Sequence, residues 1–199
     1  MKNTLSHIGI GILLVLSVLF LVRTLKNTNS QQQLQAQVEA ITDIDEQERV
    51  YIEELENENI GLMLSKQAVF FGHDSLNTVS LLEFNQTGEY LYFYFSQNTC
   101  PPCIESTIAL LKNYYYELET NNDVVFISPD YPARFRNNCY GKKLMTLENK
   151  LLGYSNEQYD VPFLFTLDKD LKTTSIHIVN KMNFVRTELF IKNIWDKNK

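Results

Sequence analysis

Apolar and polar positions divide the chain into three segments of different character. Residues 4–22 form an apolar run without a formal charge. Residues 27–65 are polar and acidic, with apolar residues at helical spacing and no Gly or Pro between Gln31 and Glu58. Residues 66–199 mix short apolar runs with turn residues, which is typical of an α/β domain. The pattern predicts a two-part N-terminal extension followed by one globular domain.

Within the predicted domain, short apolar runs indicate strands and longer amphipathic stretches indicate helices. We predict strands at residues 68–71, 79–84, 91–95, 124–128, 161–166 and 173–179, and helices at residues 104–119, 133–152 (with a break near Gly141) and 183–195. The run at residues 91–95 is apolar throughout, as expected for a strand covered by helices on both faces. The succession of strand, helix and strand up to residue 128 predicts parallel strands joined by a right-handed crossover.

The apolar run at residues 4–22 is near the minimum length for a transmembrane helix, since about 17 to 20 apolar residues cross a bilayer. A cleaved signal peptide is the alternative, but no small-x-small cleavage pattern follows Val22. We therefore predict that residues 1–26 are an uncleaved anchor whose residues 4–22 contact the lipid bilayer. Basic residues flank the run on both sides, so the charges do not decide its orientation.

The negative charge of the chain is concentrated just after the predicted anchor. The formal net charge is −6 for the whole chain, −8 for residues 27–65 and −1 for residues 66–199. We interpret residues 27–65 as an acidic helical stalk that holds the domain away from the membrane, and dimerisation through this stalk stays open. No basic face emerges in the domain, which argues against nucleic-acid binding.

The chemistry of the domain centres on Cys100-Pro101-Pro102-Cys103, between a predicted strand and a predicted helix. The N-terminus of a helix offers unpaired N–H groups and the positive end of its dipole, and both favour an anion. A thiolate in such a place has a pKa between ~3.5 and ~7.5, against ~8.5 for an ordinary cysteine. We expect Cys100 to be the exposed nucleophile and Cys103, one turn further on, to be the more buried resolving thiol. The two prolines fit the first helical turn, where N–H groups have no intrahelical partner.

A zinc site and a structural disulfide are the alternatives to a redox role for the Cys-x-x-Cys motif, and both stay open on the sequence. A zinc site needs two further ligands, and the remaining candidates, Cys139, His73 and His177, are isolated in the sequence. We therefore predict no metal and no other cofactor. Cys139 is either a spectator thiol or a third redox cysteine whose pKa is lowered by Arg134 and Arg136.

Residues from about 68 to the end resemble the thioredoxin-like fold, and most of all the membrane-anchored bacterial thioredoxin-like reductases of the cytochrome-maturation and redoxin type. The features that carry the resemblance are the strand leading into Cys100-Pro101-Pro102-Cys103 and a helix, the segment Tyr159-Asp160-Val161-Pro162-Phe163 at the start of a late strand, and the hairpin and final helix that follow. The resemblance implies an α/β fold with a central mixed sheet flanked by helices, which we assign to residues 66–199.

The resemblance also implies a client-binding surface beside the dithiol. In this family a cis proline, here Pro162, faces the cysteines, and the preceding residue, here Val161, offers its backbone to an extended partner segment. Pro101 and Pro102 belong to the same predicted surface. An ordinary trans Pro162 at the start of a strand is the alternative.

The sequence departs from the family pattern around the dithiol. Thr99 stands where a tryptophan usually precedes the first cysteine, and Tyr94 and Ser106 occupy positions where a buried acid commonly assists proton transfer. The usual helix-kinking proline after the motif is also absent. These departures bear on the reaction rate and the redox potential rather than on the fold.

The residues and the resemblance together predict a thiol–disulfide oxidoreductase that reduces disulfides of extracytoplasmic partner proteins. The implied partners are a disulfide-containing client and, for a reductase, a membrane electron donor. The implied location is the bacterial inner (cytoplasmic) membrane, crossed once, with the C-terminal domain in the periplasm. A membrane-tethered binding or scaffold protein with weak or no redox turnover is the alternative. A peroxidase of the peroxiredoxin group is disfavoured, because this chain has a tight cysteine pair instead of one key cysteine and a distant resolving one.

Overall fold

The computed structural model describes residues 46–72, 78–147, 151–180 and 184–199. Two compact units divide the chain, Met1–Tyr51 and Ile52–Lys199. The predicted anchor at residues 1–26, with its apolar run, and the first part of the predicted stalk lie outside the described residues. No helix in the described ranges has both the length and the apolar character needed to cross a membrane.

Seven strands of the described chain form one mixed sheet. The strands are β1 (Ala68–Phe71), β2 (Val79–Ser80), β3 (Leu91–Tyr94), β4 (Val124–Ile127), β5 (Met145–Leu147), β6 (Phe163–Leu167) and β7 (Thr173–Ile178). The helices are α1 (residues 46–59), α2 (Leu81–Phe84), α3 (Pro101–Tyr114) and α4 (Phe184–Lys197), and the short 3₁₀ turns are Ala133–Phe135 and Ser155–Tyr159. The strand order across the sheet is β2-β1-β5-β4-β3-β6-β7.

The centre of the sheet confirms the predicted mixed arrangement. Strand β3 pairs with β4 in parallel and with β6 in antiparallel orientation, and β6 continues into the antiparallel hairpin with β7. Helix α3 connects β3 to β4, as the succession of strand, helix and strand predicted. A strand, a dithiol, a helix and a parallel strand, followed by a hairpin and a closing helix, make up the thioredoxin-like arrangement.

Both faces of the central strands are buried, because side chains alternate between two hydrophobic clusters. Leu91 and Phe93 of β3 pack with α3 and α4 on one face. Tyr92 and Tyr94 of the same strand pack on the opposite face with residues that include Ile52 of α1. The continuous apolar run that forms β3 therefore reflects burial on both sides, as predicted.

Two segments differ from the sequence-based prediction. The predicted strand at residues 79–84 ends at Ser80, whose hydroxyl accepts a hydrogen bond from the Glu83 N–H and so caps the short helix α2. The predicted helix at residues 133–152 is wrong, because its described part, residues 133–147, holds a 3₁₀ turn and then strand β5. All three residues of β5 are buried, and β5 lies between β1 and β4 in the sheet.

Residues 52–64, which the sequence analysis assigns to the stalk, belong to the compact unit Ile52–Lys199. Ile52 and Leu64 lie in the core, and the carbonyl of Leu62 accepts hydrogen bonds from both the N–H and the hydroxyl of Thr173. The apolar residues at helical spacing that suggested a solvated stalk are, in this part, the buried face of α1.

A buried ionic group fixes the end of α1 to the last hairpin and α4. One carboxylate oxygen of Glu56 lies 3.0 Å from Nδ1 of His177 and accepts the Ile178 N–H at 2.8 Å. The other accepts a hydrogen bond from Arg186 at 2.6 Å. Nε2 of His177 lies 3.0 Å from the hydroxyl of the fully buried Thr187. His177 is therefore a core residue.

We predict that Glu56→Ala destabilises the fold by about 3 kcal/mol, because it leaves the His177 ring and the Ile178 N–H without their buried carboxylate partner. Glu56→Gln should cost less, since an amide oxygen still accepts one of these hydrogen bonds. Glu54→Ala, which removes an exposed carboxylate from the same helix, is the matched control and should stay within about 0.5 kcal/mol of wild type. Urea unfolding of the purified chain measures all three, and equal losses in Glu56→Ala and Glu54→Ala would contradict the prediction.

Candidate redox site

The two cysteines of the motif open helix α3 at the end of β3. Cys100 is the N-cap residue and is exposed, whereas Cys103 is buried, with 6% of its surface accessible. The exposed positions of Pro101 and Pro102 place both rings at the surface beside Cys100. The structure thus gives the exposure that we expected for a nucleophile followed by a resolving thiol.

The first turn of α3 has fewer backbone donors than an ordinary helix. Pro101 and Pro102 occupy its first two positions and carry no N–H. The N–H groups of Cys103 and Ile104 donate to the carbonyl of Cys100, at 3.0 and 3.3 Å. Two of the four N–H groups that usually remain at a helix start are therefore missing, and the helix dipole becomes a larger part of what favours an anion here.

The loop with Val161 and Pro162 lies at the same edge of the sheet as the dithiol. In the antiparallel pairing of β3 with β6, the last residue of β3, Tyr94, stands opposite the first residue of β6, Phe163. The chain leaves β3 towards Cys100 at the point where it enters β6 from Pro162. The predicted neighbourhood of the two loops is therefore present in the fold.

Pro162 itself differs from the prediction. The described residues contain no cis peptide bond, so the bond between Val161 and Pro162 is trans and the expected cis proline is wrong. Pro162 is buried, and its carbonyl accepts a hydrogen bond from the Val179 N–H at 2.9 Å. This bond joins the start of β6 to the end of β7, so the trans proline serves as an ordinary strand-start residue.

A polar network holds the turn between β3 and Cys100. The buried hydroxyl of Thr99 accepts the Ser96 N–H at 2.9 Å, and the Ser96 hydroxyl lies 2.9 Å from a carboxylate oxygen of Asp160. The N–H of Gln97 donates to Asp130, in the loop after β4, at 2.9 Å. Thr99, in the position of the family's tryptophan, is thus part of the turn that positions Cys100.

Ser96, Asp130 and Asp160 were not recognisable as site residues from the sequence. Asp160 was visible only as the neighbour of Val161, and Ser96 only as a residue four positions before Cys100. Their contacts join residues 33 and 64 positions apart, which local patterns do not reveal.

The tyrosine in the position of the family's buried acid has its own acidic partner. The Tyr94 hydroxyl donates to a carboxylate oxygen of Glu157 at 3.3 Å. Glu157 in turn accepts N–H groups of the preceding turn, including that of Tyr154 at 2.7 Å. Burial first, and then the negative charges of Glu157, Asp130 and Asp160, raise the pKa of Tyr94 well above its ordinary value. Tyr94 is therefore a fixed hydrogen-bond donor. Ser106, the other position, is half-buried on α3.

Cys139 lies in the hydrophobic cluster on the α3 side of the sheet and is 3% exposed. Burial raises the pKa of its thiol to about 11, and a hydrogen bond with Tyr131 opposes this only in part. Arg136 donates to the carbonyl of Tyr131, and Arg134 lies over the ring of Phe135. Of the two alternatives for Cys139, the structure therefore contradicts the redox cysteine with a lowered pKa and fits the spectator thiol.

The described residues contain no group of three or more His, Cys, Asp or Glu side chains arranged to hold a metal ion. Of the ligand candidates considered from sequence, His177 is hydrogen-bonded in the Glu56 group and Cys139 lies in the core. His73 lies outside the described residues.

Comparisons with known proteins give structural likeness only. No family model matches the sequence, and no curated protein matches it. Solved structures that are similar include a PrxQ mutant of Xylella fastidiosa, with 10% identity, a TM-score of 0.44 and coverage of 71% of this chain and 98% of that one. A thiol:disulfide interchange protein from Bacteroides sp. shows 16% identity, a TM-score of 0.40 and coverage of 68% and 91%. A 2-Cys peroxiredoxin of Plasmodium vivax shows 14% identity and a TM-score of 0.41, with coverage of 70% of this chain and 98% of that one. Likeness at this level assigns no activity to the chain.

The contrast between the cysteines predicts their order of alkylation. At pH 8 a thiol with a pKa of about 11 is ionised in about one molecule in a thousand, so Cys139 should resist iodoacetamide while the exposed Cys100 reacts. Raising the pH towards 11 should increase the thiolate fraction of Cys139, because a raised thiol pKa keeps the neutral form at lower pH. Peptide mass spectrometry after timed alkylation measures this, with the urea-unfolded chain as the control. Modification of native Cys139 as fast as Cys100 would contradict it.

Proposed function

We propose that the protein is a thiol–disulfide oxidoreductase that reduces disulfides of partner proteins through Cys100 and Cys103. One observation supports this above all. An exposed and a buried cysteine open α3 at the same sheet edge as the loop with Val161. An exposed thiol can reach a disulfide of another protein, while the buried thiol one turn away is protected from competing partners.

In the proposed reaction the Cys100 thiolate attacks one sulfur of the client disulfide. A mixed disulfide forms between Cys100 and the client, and the second client sulfur leaves as a thiolate that takes up a proton. Cys103, as a thiolate after losing its proton to solvent, then attacks the Cys100 sulfur and releases the first client sulfur. The client gains two electrons and becomes a dithiol, and the protein is left with a Cys100–Cys103 disulfide.

The half-buried Val161 and the exposed prolines of the motif form the proposed client-binding surface. An extended client segment would pair with the backbone of Val161 and lie against Pro101 and Pro102, in the manner of strand addition. The carbonyl of Pro162 is already used by Val179, so the pairing is assigned to Val161.

Each turnover as a reductase consumes the dithiol, so the proposal includes a membrane electron donor that restores it. We place the domain on the periplasmic side of the bacterial inner membrane, held by residues 4–22, because disulfides persist in oxidising compartments. Association of two chains through the acidic segment before the domain is part of the same proposal.

A second candidate is a membrane-tethered binding or scaffold protein with weak or no redox turnover. Tyr94 favours it, because the hydroxyl in the position of the family's acid is held by Glu157 and does not serve as a base. In this case the surface around Cys100 would dock a partner without electron transfer. The thiol pKa separates the two, since a Cys100 pKa well below ~8.5 favours exchange at neutral pH and an ordinary pKa favours docking.

Single cysteine variants should lose disulfide reduction in two distinct ways. Cys100→Ser removes the nucleophile, so insulin reduction with dithiothreitol as electron source should fall to the uncatalysed rate. Cys103→Ser keeps the attack but removes the resolving thiol, so turnover with dithiothreitol should fall strongly, and a mixed disulfide with the client should accumulate when the reduced variant is mixed with insulin without dithiothreitol. Turbidity measures turnover, and intact mass under non-reducing conditions detects the mixed disulfide.

Cys139→Ala is the matched control, because it removes a cysteine from the core without touching the motif, and it should retain turnover. Wild-type turnover in both Cys100→Ser and Cys103→Ser would refute the proposed function. A wild-type chain without turnover, and with a Cys100 pKa near that of an ordinary thiol, would favour the docking alternative.

A further inference from the structure

A hydrogen bond between side chains joins the cysteine loop to the Val161 loop. The Ser96 hydroxyl, four residues before Cys100, donates to a carboxylate oxygen of Asp160 at 2.9 Å. Asp160 immediately precedes Val161. Ser96 is buried, with 6% of its surface accessible, so its hydroxyl has little access to water as an alternative partner.

The direction of the hydrogen bonds follows from counting protons. A serine hydroxyl has one proton and two acceptor positions. Because the proton of Ser96 is given to the carboxylate, its oxygen accepts the Asn98 N–H at 3.1 Å, and the Thr99 hydroxyl at 3.3 Å donates to it. The chain of hydroxyls therefore runs from Thr99, next to the nucleophile, through Ser96 to the charge of Asp160.

The backbone conformation of Asp160 restricts the residue types that fit at this position. Asp160 has a φ of 52° and a ψ of 26°, the left-handed conformation that ends the turn Ser155–Tyr159. Gly, Asn and Asp adopt this conformation more readily than other residues. The direction of the chain into Val161 is thus set at a residue whose side chain is bound to the cysteine loop.

We propose that Ser96 and Asp160 are positioning residues that hold the backbone of Val161 at a fixed offset from Cys100, and so determine how well a client disulfide within an extended segment is bound. The inference rests on the proposed function. Neither residue takes part in bond making or breaking. The hydrogen bond aligns two loops that an extended client must contact together, one through sulfur and one through its backbone.

The test measures kcat and KM separately, with an oxidised peptide that carries one disulfide in an extended segment and with dithiothreitol as electron source. Ser96→Ala and Asp160→Gly each remove the bond, and glycine accepts the left-handed backbone of residue 160. Each should raise KM by roughly fivefold, the usual effect of one partly exposed hydrogen bond, while kcat stays close to wild type. The double variant should resemble the single variants, because both remove the same contact.

Asp160→Asn is the conservative variant, since asparagine tolerates the same backbone conformation and its amide oxygen accepts the Ser96 proton. It should bring KM most of the way back from the Asp160→Gly value to the wild-type value. A purely conformational role for residue 160 would predict no such recovery, because glycine already accepts the left-handed backbone. Gln97→Ala, at an exposed position of the same turn, is the control and should leave both constants unchanged. Circular dichroism confirms that each variant is folded before kinetics.

Three outcomes would overturn the inference. The first is an unchanged KM in folded Ser96→Ala and Asp160→Gly. The second is an increase of KM in the double variant that equals the product of the two single increases. The third is a fall in kcat with constant KM. In each case wild-type turnover persists, so the proposed function stands and only the positioning role fails. A wild-type chain without turnover refutes the proposed function itself, and the inference falls with it.

Discussion

The antiparallel pairing of β3 with β6 is the constraint on which the candidate site depends. Its register places Tyr94 opposite Phe163 and Tyr92 opposite Phe165. Both pairs stack across the strands, with ring centroids 4.4 and 4.9 Å apart and interplanar angles of 22° and 14°. Because side chains alternate between faces, a shift of one residue would move these rings to the wrong side of the sheet. The aromatic pairs therefore fix the register, and the register fixes which loops meet at the edge.

The cysteine loop and the Val161 loop lie at the same edge of the sheet, and this placement determines which side chains are exposed there. Helix α3 starts where β3 ends, so Cys100 is exposed at the edge while Cys103 turns towards the core. The loop before β6 reaches the same edge, and the bond from Ser96 to Asp160 joins the two. The turn before the dithiol also bonds to Asp130 after β4. The turn that leads into Cys100 is thus bonded both to the loop before β6 and to the loop after β4.

The sequence was informative where a pattern is local. The apolar run of β3, the motif that follows it and the hairpin with its closing helix were predictable, because each has a periodicity or a turn signal of its own. Strand β5 was not, since the short stretch Met145-Thr146-Leu147 fits a helix as well as a strand and its partners lie on β1 and β4. The amphipathic pattern of residues 52–64 predicts a stalk, and only tertiary contacts show that the apolar face of α1 is covered.

The same limit applies to the site. Cys100 and Cys103 are recognisable from four consecutive residues, and Val161 and Pro162 from their resemblance to a known loop. The trans state of Pro162 was not predictable in this way, because the isomer depends on the surroundings and not on the residue type alone. Ser96 and Asp160 are common turn residues, and their contact spans 64 positions. The tertiary fold brings these two residues together, and short motifs do not encode it.

Tyr94 stands where the family that the sequence resembles usually has an acid, and this residue would affect proton transfer in the proposed reaction. A carboxyl group at the end of β3 can accept a proton from a buried thiol, whereas a tyrosine with a raised pKa stays protonated and only donates. Tyr94 packs with the cluster on the face opposite α3 and bonds to Glu157. Tyr94 therefore stabilises the register of β3 against β6 by stacking of its ring. In the proposed exchange, Tyr94 would not accept the proton of Cys103, so the second step would be slower than with a carboxylate at this position.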